Sequence, residues 1–144
     1  RASIETLIQQ SGMQSTIFLC GPYPGGCAYN SLLASYHGLI LASTGSEGLP
    51  LVLIESMSAG LPFLSTKIGG IVDAAKGNAD VLIVEPTVEA LKDGLLTFAR
   101  RIREGAILPN RLRYYYLANF SPKVIETKWR QMIENPREFF NELR

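Results

Sequence analysis

One stretch decides the fold: Gly38-Leu39-Ile40-Leu41-Ala42-Ser43-Thr44-Gly45-Ser46-Glu47-Gly48-Leu49-Pro50-Leu51-Val52-Leu53-Ile54-Glu55-Ser56-Met57-Ser58-Ala59-Gly60-Leu61-Pro62-Phe63-Leu64-Ser65-Thr66. Gly38 to Ser43 reads as a buried strand, apolar on both faces rather than alternating. A glycine-containing loop follows. Leu51 to Ala59 reads as a short helix, with Pro50 at its predicted first position and Gly60 just beyond its end, the usual punctuation of helix termini. Pro62 to Thr66 is a second short strand. Two strands joined through a helix form a βαβ unit, and such units build parallel sheets.

The same alternation continues outward. On the N-terminal side, Ser3 to Met13 is amphipathic, with Ile4, Leu7 and Ile8 at helical spacing and Gly12 near its end. Thr16 to Cys20 is a short apolar run and a predicted strand. It stops in Gly21-Pro22-Tyr23-Pro24-Gly25-Gly26, which has the composition of a loop. Tyr29 to Tyr36 reads as a helix. On the C-terminal side, Gly69-Gly70 breaks the chain before a short helix around Ile71 to Lys76, and Val81 to Val84 is a predicted strand. Thr87 caps a long helix running to about Arg103, with Glu89 in its first turn. A looser stretch leads to Ser121 and Pro122, which open a last helix through about Glu134. The predicted fold is α/β: a doubly wound, Rossmann-like parallel sheet of about four strands, fewer than a complete lobe of that kind.

Composition agrees. The 144 residues make one domain's worth of protein, and 47% hydrophobic against 19% charged residues excludes disorder, collagen and coiled coil. A formal net charge of +1 gives no global field for nucleic acid or membrane. No stretch approaches the roughly 18 apolar residues of a spanning helix, and the start lacks a signal-peptide profile. The chain begins at Arg1 without a methionine, which points to a piece of something longer. Cys20 and Cys27 fit neither a zinc knuckle nor a redox pair, and read as buried thiols in a reducing cytoplasm.

Chemistry concentrates between Ser43 and Glu55. Ligands of open α/β sheets sit at the carboxyl ends of the strands. The free amides of a helix's first turn, here those of Leu51 and Val52, suit a phosphate. Glu55 lies five residues past Pro50, roughly 7.5 Å along the axis at about 1.5 Å per residue, a position suited to the two vicinal hydroxyls of a ribose. Glu47, before the helix, faces the other end of such a ligand. Two plainer readings stand beside these. Glu55, Ser56 and Ser58 form a polar arc of the kind that is usually a solvated face, and Glu47 reads equally as a first-turn acid stabilised by the helix dipole.

Glu47 through Pro62, with two glutamates separated by seven residues, closely resembles the signature of group 1 glycosyltransferases, retaining enzymes of the GT-B fold. The resemblance runs from about Ile4 to Ile133. Phe18-Leu19-Cys20-Gly21 resembles the strand whose loop meets the nucleobase, Gly69-Gly70 matches paired glycines after the next strand, and Phe120-Ser121-Pro122 through Trp129 resembles a closing helix. It implies that Glu47 and the amides of Gly48 and Leu49 meet the donor sugar, that the amides of Leu51 and Val52 hold the diphosphate, and that Glu55 takes the ribose hydroxyls. By the same resemblance, Gly21 and Tyr23 are expected to border the base. The implied reaction passes a sugar from a nucleotide-diphosphate donor to a glycan or lipid-linked glycan, in polysaccharide synthesis, with the anomeric configuration kept. It implies no metal and no other cofactor, and no metal-ligand spacing occurs in the sequence. The implied place is the cytoplasm, including the inner face of the membrane.

The sequence also departs from the family. Pro50 replaces a glycine common there, removing one amide, and Tyr36-His37-Gly38 replaces a commoner strand entry. The strand and helix that bring an arginine and a lysine to the diphosphate are not found before Ile4, and the acceptor-binding lobe is missing. Residues 1–144 therefore read as the donor-binding lobe alone, inactive as a transferase without its companion.

Other classes fit less well. Thr44-Gly45-Ser46-Glu47-Gly48 nearly matches a hydrolase elbow, but the single histidine, His37, precedes it by a whole strand. Gly25-Gly26 and Gly69-Gly70 are not a dinucleotide fingerprint. The main alternative is a non-catalytic nucleotide-binding or peripheral membrane module. Arg111-Leu112-Arg113-Tyr114-Tyr115-Tyr116 mixes basic and aromatic residues, as single-strand nucleic-acid and lipid-surface sites do. In a near-neutral chain it reads more plainly as an amphipathic helix end, and nucleic acid is not an expected partner.

Overall fold

A computed structural model describes residues 2–23 and 25–142. In chain order they form α1 (Ala2–Gln10), α2 (Cys27–Ala34), β1 (Leu39–Leu41), α3 (Leu51–Ser58), β2 (Phe63–Thr66), α4 (Ile71–Ala75), β3 (Leu82–Val84), α5 (Val88–Arg103), α6 (Pro109–Asn119), α7 (Pro122–Glu134) and α8 (Pro136–Glu142). The chain divides into two compact units, residues 1–31 and 32–144.

The first unit holds α1 and the glycine–proline loop. Its predicted strand, Thr16 to Cys20, does not form. The Thr16 and Ile17 amides instead bond to the Met13 carbonyl at 3.0 and 2.9 Å, closing a turn after α1. No strand among the described residues pairs with 17–20, and Phe18 is 70% exposed. An extended segment without a ladder partner gains nothing from its β propensity. The Cys20 thiol is exposed, which corrects the expectation of a buried one. The side chain of Cys27 lies outside the described residues.

The second unit carries the sheet, of three strands rather than four, in the order β1-β2-β3 and parallel throughout. Every residue of the central strand β2 is buried. Successive side chains of a strand point to opposite faces, and two apolar clusters follow. Around Phe63 pack Leu53 and Met57 of α3, Ile71 and Ala75 of α4, Val81, and Leu112 of α6. Leu64 packs with Phe98 of α5 and with Ile107. Helices thus lie on both faces of β2, while Ile40 of β1 stays 51% exposed, so the strand expected to be buried is only partly so among the described residues. At Gly94 of α5 a Cβ atom would come within 2.7 Å of Val84 Cγ1, so the missing side chain sets how closely that helix lies on the sheet.

Helix ends follow local chemistry. The Thr87 hydroxyl accepts the Ala90 amide at 3.2 Å and caps α5. Helix α3 closes with Gly60 at φ 73°. The Gly60 amide bonds to the Met57 carbonyl at 3.0 Å and the Leu61 amide to the Ser56 carbonyl at 2.8 Å, a Schellman ending. Its start differs from expectation by one residue: Pro50 is the N-cap (φ −63°, ψ 118°) and Leu51 the first helical residue. Helix α8 occupies a stretch with no predicted element, and α6 one in which only Arg111 to Tyr116 read as a helix end. No helix of the described residues is long and apolar enough to cross a membrane.

Candidate functional site

The candidate site lies in the second unit, at the carboxyl edge of the sheet, where β1 runs through residues 42–50 into α3. The regular ladder between β1 and β2 ends at the pair Leu41 and Ser65. Two buried hydroxyls continue it: Ser65 donates to the Leu41 carbonyl at 2.8 Å and Thr66 to the Ser43 carbonyl at 2.6 Å. Ser43 in turn donates its own hydroxyl to Glu47 Oε1 at 2.6 Å. Among the described residues Glu47 Oε2 has no hydrogen bond, and the side chain is half-buried.

Beyond β2 the chain turns back under this loop. A Cβ atom on Gly69 would lie 1.9 Å from the Glu47 carbonyl oxygen, and one on Gly70 would lie 2.5 Å from that of Gly48. Gly69 also has φ 50°, in the left-handed region. Only glycines let the two backbones approach this closely, which gives the pair a reason that turn composition alone did not supply. Gly48 and Leu49 themselves are exposed.

At the start of α3 the Leu53 amide is taken by the Pro50 carbonyl at 3.1 Å. The amides of Leu51 and Val52 make no hydrogen bond among the described residues, and Leu51 is 71% exposed. Two free donors, with the helix dipole behind them, favour an anion there. Glu55 sits one turn further on, half-buried. The polar arc around it is not a solvated face, because Ser56 is wholly buried and donates to the Leu53 carbonyl at 2.8 Å. Lys67 and Glu85, which follow β2 and β3, form an exposed ion pair at 3.0 Å.

Gly21 and Tyr23 belong to the first unit. Gly21 has φ 74°, and the Tyr23 ring stacks on Tyr29 with centroids 5.0 Å apart. The basic-aromatic cluster is divided within α6. Leu112 is buried, Tyr115 donates to the Lys76 carbonyl at 2.7 Å, and Tyr114 is exposed. Arg111 grips the buried Asp80 carboxylate with both Nε and Nη2, at 2.5 and 2.6 Å. The Leu108 amide bonds to the same carboxylate at 2.9 Å, and Arg101 reaches the neighbouring Ala79 carbonyl. Burial by itself pushes the Asp80 carboxyl up. The hydrogen bonds from Arg111 and Leu108, with the charges of Arg111 and Arg101, outweigh it and hold the group below the usual carboxylate range. This pair fastens α6 to the loop before β3. Among the described residues no group of three His, Cys, Asp or Glu side chains is placed to hold a metal ion.

Sequence reasoning missed Ser43, Thr66 and the Asp80–Arg111 pair. The first two carried one available signal, a hydroxyl residue at the carboxyl end of each apolar strand. The third carried none within a local window.

Solved structures resemble the chain over nearly its whole length. Sucrose-phosphate synthase from Thermosynechococcus elongatus is 23% identical with a TM-score of 0.72, over 96% of this chain and 34% of its own. Anabaena Alr3699/HepE in complex with UDP is 16% identical with a TM-score of 0.78, over 92% and 36%. A glycosyltransferase from Rickettsia africae ESF-5 is 22% identical with a TM-score of 0.76, over 96% and 36%. The chain thus spans about a third of the length of these proteins, which share its fold. A search of curated protein sequences returns no match. The family model described as glycosyl transferases group 1 matches residues 1–101, and with that match over most of its length the chain belongs to this family.

Proposed function

We propose that the chain is the donor-binding part of a retaining glycosyltransferase that uses a nucleotide-diphosphate sugar. The observation that carries this reading is the pair of unbonded amides of Leu51 and Val52, bracketed by Glu47 and Glu55 at the carboxyl edge of a parallel sheet. The diphosphate lies on the two amides, Glu55 accepts the ribose hydroxyls, and Glu47 with the Gly48 and Leu49 amides meets the sugar. By the family resemblance, Gly21 and Tyr23 are expected to border the base. That Anabaena HepE was crystallised with UDP, with UDP-glucose, and with UDP and glucose supports a donor of this class.

The rest of the mechanism follows from the chemistry of such a donor. Negative charge develops on the departing diphosphate, and preorganised amides and basic side chains stabilise it without a metal ion. Transfer to a glycan or lipid-linked glycan needs a second lobe to close over the donor, exclude water and place the acceptor. The chain by itself therefore binds donor weakly and transfers no sugar. For a lipid-linked acceptor the whole protein works at a membrane surface.

Calorimetric titration of the chain with UDP, GDP and ADP, repeated on Glu55→Ala, tests the proposal. Hydrogen bonds to a charged group are worth about 1.5–3 kcal/mol, so the variant loses roughly tenfold to a hundredfold in affinity for the preferred nucleotide. Equal affinity in both proteins, or binding of none of the three, overturns the ribose assignment.

A further inference from the structure

We infer that Ser43 and Thr66 are positioning residues for the Glu47 carboxylate, and that β2 aims this acid at the donor sugar through a relay of two hydroxyls; the inference rests on the donor-site reading above. The relay is continuous. The Thr66 hydroxyl fixes the Ser43 carbonyl at 2.6 Å, and the Ser43 hydroxyl fixes Glu47 Oε1 at 2.6 Å. Its root is firm, because Thr66 is 2% exposed in the central strand.

The loop needs such a hold. Around Gly45 and Gly48 there is open space, so nothing packs against the segment that carries Glu47 from that side. A glutamate there has three side-chain torsions free to wander. A hydroxyl–carboxylate bond of 2.6 Å lies in the short, charge-assisted range and removes much of that freedom. It also occupies one carboxylate oxygen, leaving Oε2 for a sugar hydroxyl. The proton geometry defines the part Ser43 plays. Its single hydroxyl hydrogen is committed to Glu47, so it orients the acid.

A hydroxyl that merely stabilised the loop would leave ligand discrimination alone, and the test uses that difference. The ratio of the Kd for UDP to the Kd for UDP-glucose is measured by calorimetry on the chain. GDP with GDP-mannose and ADP with ADP-glucose run in parallel, and the base that binds most tightly is used. Glu47→Ala sets the reference by shifting this ratio at least fivefold. Ser43→Ala is expected to shift it by at least half as much on a logarithmic scale, with the Kd for the bare nucleotide within twofold of the parent. Ser43→Thr keeps the parent ratio, and Thr66→Val shifts it in the same direction as Ser43→Ala. Should Ser43→Ala fail to fold by circular dichroism, Ser43→Cys, close in volume and a weak donor, takes its place with the same expectation.

If Glu47→Ala shifts the ratio and Ser43→Ala, or Ser43→Cys in its place, does not, the inference is overturned while the donor site stands. If Glu47→Ala leaves the ratio unmoved, or no pair binds, the placement of Glu47 falls and the relay falls with it.

Discussion

Alanine at Gly69, Gly70 and Gly45 separates three physical situations within one short stretch of structure. At Gly69 a Cβ atom would stand 1.9 Å from the Glu47 carbonyl oxygen, more than an ångström inside the 3.0 Å that real Cβ contacts respect, and φ is +50°. The left-handed backbone costs alanine about 1–2 kcal/mol, and forcing two backbones apart adds about 1–3 kcal/mol. At Gly70 the approach is 2.5 Å to the Gly48 carbonyl oxygen, but φ is −68°, so only the steric part applies. At Gly45 nothing lies within 4 Å, and alanine changes stability by no more than about 0.5 kcal/mol. The expected order of loss is therefore Gly69→Ala, about 3 kcal/mol; Gly70→Ala, about 1–2 kcal/mol; and Gly45→Ala, near zero. With a urea slope of about 2 kcal/mol per molar, Gly69→Ala lowers the midpoint by roughly 1.5 M. Far-UV circular dichroism is the suitable probe, since the single tryptophan, Trp129, is 59% exposed and reports poorly on the core. A Gly69→Ala protein with the midpoint of Gly45→Ala would refute the close approach of the two loops.

Two further outcomes concern the frame around the site. The Asp80 carboxyl is held below its ordinary range when folded, so its contribution to stability is present above about pH 4 and is lost as pH falls through its folded value. The gap in urea midpoint between the parent and Asp80→Asn is then widest from pH 5 to 7 and narrows toward pH 2; a gap independent of pH contradicts the ion-pair account. Thr87→Ala removes the hydroxyl that accepts the Ala90 amide and is expected to cost about 1 kcal/mol in the same denaturation series. No change in midpoint means that the start of α5 is satisfied by water instead.

How far the sequence foretold this molecule depended on whether the deciding interaction was local. Gly38 to Thr66 reads correctly as a βαβ unit because its two apolar runs and the Pro50 and Gly60 punctuation are all within sight of one another. Thr16 to Cys20 shows an equally apolar run and forms no strand, since a run of five residues says nothing about a pairing partner. Helix α6 showed only as a helix end at Arg111 to Tyr116, for the opposite reason. Its one buried residue is Leu112, too little for an apolar stripe, and it is held by Arg111 on Asp80, 31 positions away in sequence. At the site, Glu47 and Glu55 stood out through a long signature. Thr66 did not, because only the parallel register that sets Leu41 beside Ser65 brings its hydroxyl to Ser43. Ser56 misled in the same way: a serine among apolar neighbours is read as exposed unless its bond to the Leu53 carbonyl is known.

The central strand also explains how one short segment serves both the fold and the candidate site. Its first two residues, Phe63 and Leu64, point to opposite faces and anchor the two apolar clusters. Its last two, Ser65 and Thr66, are as deeply buried but spend their hydroxyls on the carbonyls of Leu41 and Ser43. A buried hydroxyl that lost its acceptor would cost about 1–3 kcal/mol, so these bonds tie the start of the loop to the core. Three positions after Thr66, Gly69 and Gly70 close on the backbone of Glu47 and Gly48 from the other side. The segment from Ser43 to Gly48 is thus held at both ends by the chain that leaves β2, while the space around Gly45 stays open. Removing the Thr66 hydroxyl loosens the loop and leaves both apolar clusters intact, whereas truncating Leu64 weakens the sheet beneath it. A carboxylate that is to meet a ligand must be fixed to within about half an ångström, and here a buried strand reaches out from the sheet edge to hold one.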